Sequence, residues 1–153
     1  VAKLFNIIKP THSFFGEKDP SQLRLIIKMC RDLNFDIEIV PCPTIREDNG
    51  VAMSSRNEHL SQKERINAGV INDALQLGKN ALNDGLRSSE KLKSIISIKI
   101  KEEPMAEIDY ISIADSVTMQ EITNFNKNDI LVSIAVYFGS TRLIDNFIYS
   151  SAK

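Results

Sequence analysis

The spacing of apolar positions divides the chain into periodic segments separated by turn signals. In residues 1–8, Val1, Leu4, Phe5 and Ile8 recur at helical spacing, and Lys9-Pro10 ends the run. Residues 11–15 hold two aromatics and stop at Gly16, the pattern of a buried strand entering a turn. Leu23, Ile26, Ile27, Cys30 and Leu33 then share one helical face, with Lys28, Arg31 and Asp32 off it. Asp19 followed by Pro20 predicts an N-cap with Pro at the first helical position. Residues 36–41, DIEIVP, alternate as a short strand. Strand, glycine turn, capped helix and strand predict a βαβ unit whose strand ends point their loops to one edge of a parallel sheet.

Beyond residue 57 the pattern changes. Ser61-Gln62-Lys63-Glu64 matches a capping box, and Ile66, Val70, Ile71, Ala74, Leu75, Leu77, Ala81 and Leu82 predict one amphipathic helix to about residue 83, stopped by Gly85. A second helix is expected from about residue 88 to Pro104. Residues 107–114, 130–138 and 142–148 are rich in β-formers, with a polar turn region at 123–129. Gly139-Ser140-Thr141 is too short for a crossover, so the last two strands are expected to pair antiparallel. Arg142 and Asp145 are expected to pair with each other on that sheet as a structural contact.

Between these parts lies the segment richest in chemistry, residues 45–57, IREDNGVAMSSRN. Asn49-Gly50 predicts a tight reversal, since both residues tolerate positive φ. Ser54, Ser55 and Arg56 gather two hydroxyls and a guanidinium fork, with Asn57 adding an amide, a set that suits phosphate oxygens. If a serine opens a helical turn, free backbone N–H groups would join them. An ordinary polar loop leading into a capped helix fits the same spacing. Lys18, at the preceding strand end, is a second candidate cation, and one site built from both loops is expected.

Composition narrows the classes. Lys+Arg 19 against Asp+Glu 20 gives no excess of positive charge for nucleic acid or an anionic membrane. No apolar run has the length of a membrane span, and the N-terminal residues lack a signal-peptide pattern, so a cytoplasmic protein is expected. Cys30 and Cys42 are too few and too far apart for a metal knuckle and read as buried free thiols. His12 and His59 lack partners at metal-ligand spacing and are expected to be structural; no protein metal site is expected. Val1 begins inside an apolar-periodic segment with no cap before it, which predicts further sequence upstream.

The strings KLFNIIKP, FGEKDPSQL, DLNFDIEIVPCPTIRE, NGVAMSSRN and GSTRLIDN occur in the order and spacing of the pantothenate synthetase (pantoate–β-alanine ligase) family, across essentially the whole chain. The family's His-x-Gly-His motif, which lies in the first half of its longer members, is not present. The chain thus resembles the C-terminal portion of such an enzyme. That resemblance implies an α/β fold: residues 1–45 as the second half of a Rossmann-like nucleotidyltransferase domain of the adenylyltransferase superfamily, and residues 46–153 as a small α+β lid with a helix pair and antiparallel sheet. It implies ATP as substrate with Mg²⁺, pantoate and β-alanine as partners, and a homodimer when full length.

By the same resemblance, Gly16, Glu17, Lys18 and Asp19 match an ATP-contacting turn, with Lys18 neutralising phosphate charge. Gln22 matches a pantoate-binding glutamine, and Ile45 a position whose backbone meets adenine. Met53, Ser54, Ser55 and Arg56 match the mobile phosphate-binding loop. Pro20-Ser21 departs from the family's usual aromatic or Ala followed by Gln. With the family's histidines absent, the chain by itself is expected to be inactive. The competing expectations are a non-catalytic nucleotide-binding or interaction module, and another adenylyltransferase, such as one acting on phosphopantetheine.

Overall fold

The computed structural model describes residues 1–125 and 129–150, so residues 126–128 of the expected polar turn lie outside the described residues. The chain divides into two compact units between Thr44 and Ile45, one residue before the expected boundary.

In the first unit, α1 (Ala2–Ile8) precedes β1 (His12–Gly16), α2 (Pro20–Asp32) and β2 (Glu38–Cys42). The two strands pair in parallel, from His12 opposite Glu38 to Gly16 opposite Cys42, and α2 is the crossover between them. Pro20 occupies the first turn of α2 and the Gln22 N–H donates to Asp19 Oδ1 at 3.0 Å, the start read from Asp19-Pro20. Phe5, Ile26 and Cys30 form the buried centre, with Phe15 and Phe35 edge-on to Phe5 at centroid distances of 6.4 and 5.9 Å. The helical stripe is narrower than expected, because α2 ends at Asp32 and leaves Leu33 exposed. The expected burial of β1 holds for one face only. Phe15 points at Phe5, while pleating turns Phe14 to the opposite face, where it is 68% exposed.

In the second unit, α3 (Gln62–Asn67), α4 (Val70–Asn83) and α5 (Ser89–Lys101) precede three antiparallel strands, β3 (Ala106–Asp115), β4 (Ile130–Phe138) and β5 (Thr141–Tyr149). β4 is central, and Ile130, Val132, Ile134, Val136 and Phe138 on one of its faces pack against Leu82, Leu92, Ile96 and Ile100 of the helices. Gly78 allows the close approach of α4 to α5, since a Cβ there would meet Ile96 Cδ1 at 3.1 Å. The tight turn between β4 and β5 sets their register, with Gly139 at φ +56.

The single helix expected over residues 61–83 is instead two. The capping box is present, with the Ser61 N–H donating to Glu64 Oε2 at 2.8 Å and the Glu64 N–H to Ser61 Oγ at 3.3 Å. At Gly69 the regular pattern changes: its N–H reaches the Ile66 carbonyl at 3.2 Å, while the Arg65 carbonyl accepts the Asn49 side-chain amide at 2.8 Å. A distant side chain has taken the acceptor that Gly69 would use in a continuous helix. Ile66 consequently lies 64% exposed.

Candidate functional site

Two clusters carry the site residues expected from sequence, one in each unit. In the first unit, the Glu17 N–H donates to the Cys42 carbonyl at 2.8 Å, which ties the turn after β1 to the C-terminal end of β2. Gly16 ends β1, Glu17, Lys18 and Asp19 are half-buried, and Gln22 is exposed on the first turn of α2. Asp19 already uses one carboxylate oxygen to cap that helix. His12 lies at the other end of β1, its Nε2 3.2 Å from Glu38 Oε2 on the surface.

In the second unit, residues 45–53 form a small hairpin. The Glu47 N–H donates to the Val51 carbonyl at 2.8 Å, the Gly50 N–H to the Glu47 carbonyl at 2.8 Å, and the Met53 N–H to the Ile45 carbonyl at 2.9 Å. Arg46 and Ala52 bridge in antiparallel fashion. The reversal expected at Asn49-Gly50 is there, with Gly50 at φ +84 and Asn49 Oδ1 accepting the Val51 N–H at 3.2 Å.

The returning arm presents Met53, Ser54, Ser55 and Arg56. Ser54 caps a short 3₁₀ helix, Ser55–His59, its Oγ accepting the Arg56 N–H at 3.3 Å. One backbone donor of this turn is therefore already satisfied. Ser55 and Arg56 are exposed, and Met53 and Ile45, neighbours across the hairpin, are 55% and 70% exposed. Arg31, Arg46, Arg65 and Arg142 are all committed to carboxylates, whereas Arg56 makes no ion pair among the described residues. A guanidinium without a carboxylate, flanked by hydroxyls and by exposed apolar side chains, can take a phosphate oxygen and the apolar face of a base.

Asn57 does not belong to that set. It is 2% exposed and turns inward, donating through Nδ2 to Glu47 Oε1 at 2.7 Å and to the Ala52 carbonyl at 3.2 Å. Arg65 Nε donates to the other Glu47 oxygen at 2.8 Å, a bond that raises the guanidinium's proton affinity. The base of the hairpin is thus sewn to the 3₁₀ helix and to α3.

Asp145 is the residue that sequence reasoning placed wrongly. Positions 142 and 145 face opposite sides of β5, because strand side chains alternate, so they cannot pair. Arg142 instead donates to Asp109 at 2.8 Å and lies 5.6 Å from the Tyr110 ring centre. Asp145 receives both arms of the Arg46 fork, Nη1 to Oδ2 at 2.6 Å and Nη2 to Oδ1 at 3.0 Å, and this pairing holds the Arg46 proton more tightly than usual. The only advance signal was its spacing: Leu143, Asp145 and Phe147 alternate, and a carboxylate at a core-facing step demands a partner.

Among the described residues no group of three or more His, Cys, Asp or Glu side chains could hold a metal ion, and no helix is long and apolar enough to cross a membrane.

Comparison with known proteins gives these clusters their context. Pantothenate synthetases of Clostridium botulinum (strain 657 / Type Ba4) and Enterococcus faecalis (strain ATCC 700802 / V583) are each 50% identical over 149 residues, 97% of this chain. The chain spans about half the length of these relatives, 53% and 52% respectively. The crystal structure of pantothenate synthetase from Thermus thermophilus superposes with a TM-score of 0.89 at 34% identity, over 95% of this chain and 52% of that one. Pantoate-beta-alanine ligase from Francisella tularensis, complexed with beta-gamma ATP and beta-alanine, gives a TM-score of 0.66 at 30% identity, over 96% of this chain and 47% of that one. A family model described as pantoate-beta-alanine ligase matches residues 1–148, and the chain belongs to that family.

Proposed function

We propose that this chain supplies the C-terminal half of an ATP-dependent pantoate–β-alanine ligase. The observation that carries the reading is the pair of exposed residues Ser55 and Arg56 beside half-buried Ser54, a cluster whose guanidinium has no carboxylate partner among the described residues, on a hairpin that also exposes Ile45 and Met53. That arrangement offers an anion site beside an apolar shelf, the two needs of a nucleotide. A family member from Francisella tularensis was crystallised with an ATP-type ligand and β-alanine, which supports the same ligand class.

In this reading the pantoate carboxylate oxygen attacks the α-phosphorus of ATP, the bond to pyrophosphate breaks, and pantoyl adenylate forms. The β-alanine nitrogen then attacks the acyl carbon, loses a proton, and expels AMP to give pantothenate. Lys18, Ser54, Ser55 and Arg56 stabilise charge on the phosphates, with Gly16, Glu17 and Asp19 in the ATP-contacting turn. The Ile45 backbone and Met53 meet the base, and the Gln22 amide holds pantoate by donating and accepting at once. Mg²⁺ bound to the nucleotide would supply charge neutralisation on the phosphates, beside Lys18 and Arg56. The protein contributes position and electrostatics and no covalent nucleophile. The complete enzyme is a cytoplasmic homodimer, and the 153-residue chain by itself turns nothing over.

The test is pyrophosphate release by the complete protein with ATP, pantoate and β-alanine. Pantoate-dependent release is expected, with Arg56→Ala lowering kcat/KM for ATP by about 100-fold, the scale of one lost transition-state donor. Release that ignores pantoate, or that prefers phosphopantetheine, overturns the proposal. Turnover by the 153-residue chain alone overturns its inactivity.

A further inference from the structure

We infer that Asp145, ninety-nine positions from its partner Arg46, is a positioning residue for the Met53, Ser54, Ser55, Arg56 loop. This rests on the reading of that loop as the nucleotide-phosphate site.

Asp145 stands opposite Ile134 of the core strand, between Leu143 and Phe147, which pack into the same core. Its side chain is 1% exposed. A carboxylate in that place is costly unless every oxygen is used. Oδ2 takes Arg46 Nη1, and Oδ1 takes both Arg46 Nη2 and the Asn146 N–H, the latter at 2.8 Å. An apolar pair would commonly fill such a space at equal or better stability. What the ion pair adds is direction: a bidentate fork has one good geometry, and a leucine has many.

The same guanidinium carries that direction to the hairpin. Arg46 Nη1 also donates to the Gly50 carbonyl at 2.9 Å, at the tip of the reversal. Arg46 is bridged to Ala52, and its neighbour Ile45 accepts the Met53 N–H at 2.9 Å. One fork thus joins the core strand, the tip of the turn and the arm from which Met53 and the serines project. The Asn57 bonds to Glu47 and Ala52 close the far side of the same hairpin. With Asp145 gone, the hairpin keeps its backbone bonds but loses its fixed angle to the sheet, and the loop serines and Arg56 lose their aim.

The experiment uses the complete ligase carrying this segment, in four forms besides wild type. Asp145→Asn and Arg46→Lys break the fork conservatively. Arg46→Met with Asp145→Leu removes both charges together, so no charge stays buried alone. Ile96→Val lowers stability through the packing of α5 on α4, where Ile96 lies against Gly78, without touching Asp145 or the hairpin. KM for ATP and kcat are measured in pantoate-dependent exchange of pyrophosphate into ATP, and separately kcat is measured for β-alanine attack on supplied pantoyl adenylate.

The three fork variants are expected to raise KM for ATP about tenfold, with the second half-reaction within about twofold of wild type; misplaced binding groups act on the step that needs them. Ile96→Val is expected to lower the melting temperature and leave KM unchanged. If Asp145→Asn does not fold, the doubly apolar variant decides. A wild-type KM for ATP in that variant, or a loss confined to stability and active fraction, overturns the inference. Wild-type protein without exchange overturns the parent reading instead, so the two failures are distinct.

Discussion

Gly50→Ala probes the reversal on which the candidate site is built. Gly50 lies at φ +84, where an L side chain costs about 1–2 kcal/mol. A Cβ there would also sit 2.4 Å from Asn72 Nδ2, 2.7 Å from its Cγ and 3.0 Å from its Cβ. The amide end can swing away, but doing so drives Asn72 off its rotamer, at about 0.5–1.5 kcal/mol. The expected loss is about 2–3 kcal/mol.

Gly85→Ala is the internal reference. Its φ is +95 and nothing lies within 4 Å of the added carbon, so it carries the conformational cost alone, about 1–2 kcal/mol. Adding Asn72→Ala to Gly50→Ala should return the loss toward the Gly85→Ala value, since only the Cβ contact remains. All three tyrosines, Tyr110, Tyr137 and Tyr149, lie in the second unit and there is no Trp, so tyrosine fluorescence during urea titration reports that unit alone. A Gly50→Ala loss no larger than that of Gly85→Ala, or no recovery in the double variant, would refute the steric reasoning.

Three further outcomes follow from the packing and charge. Phe138→Ala, at a fully buried position of β4, should cost about 3–5 kcal/mol in the same titration; a loss under about 1 kcal/mol would mean the core is not packed as described. Bonds from Lys93 and then Ser112 hold the Glu121 carboxyl below its ordinary value, as the Ser61 bonds do for Glu64. A folded-state pKa below the unfolded one stabilises above the ordinary carboxylate range and stops doing so as pH falls through the lowered value. Melting temperature should therefore drop between about pH 5 and about pH 3, and Glu121→Gln should flatten that drop; an unchanged profile counts against the contact. Burial pushes the Cys30 thiol up, while Cys42 is only half-buried, so iodoacetamide should label Cys42 first by mass spectrometry, and equal rates would contradict the burial of Cys30.

The division between what was legible in sequence and what was not follows the range of the interactions. Asp19-Pro20, the Ser61 to Glu64 capping box and the Asn49-Gly50 reversal bond within a few residues of themselves, so local sequence determined them. β4 was legible for a similar reason, since its nine residues are apolar apart from Ser133 and all but Ser133 and Tyr137 are buried. The family strings likewise lie in order along the chain, and membership required no contact between distant positions. Cys30 met its expected burial and Cys42 met it only in part, because burial depends on what packs above a residue.

Other features required the tertiary structure for one physical reason: a polar group takes its partner from whatever surface folding brings near. The helix over residues 61–83 breaks because Asn49, outside it, captures the Arg65 carbonyl. Asn57 has the chemistry of an anion ligand and is spent on Glu47 and Ala52. Phe14 and Phe15 are the same residue type side by side, and the pleat alone sends one to the core and one outward. Asp145 and Arg142 are near in sequence, yet strand alternation separates them and antiparallel pairing carries Asp145 to the core face beneath the hairpin, where Arg46 meets it. Sequence by itself determined most of the elements, the family and the loop worth watching; only the folded chain decided where the helix breaks, which of that loop's groups stay exposed and that Arg46 of its hairpin meets Asp145.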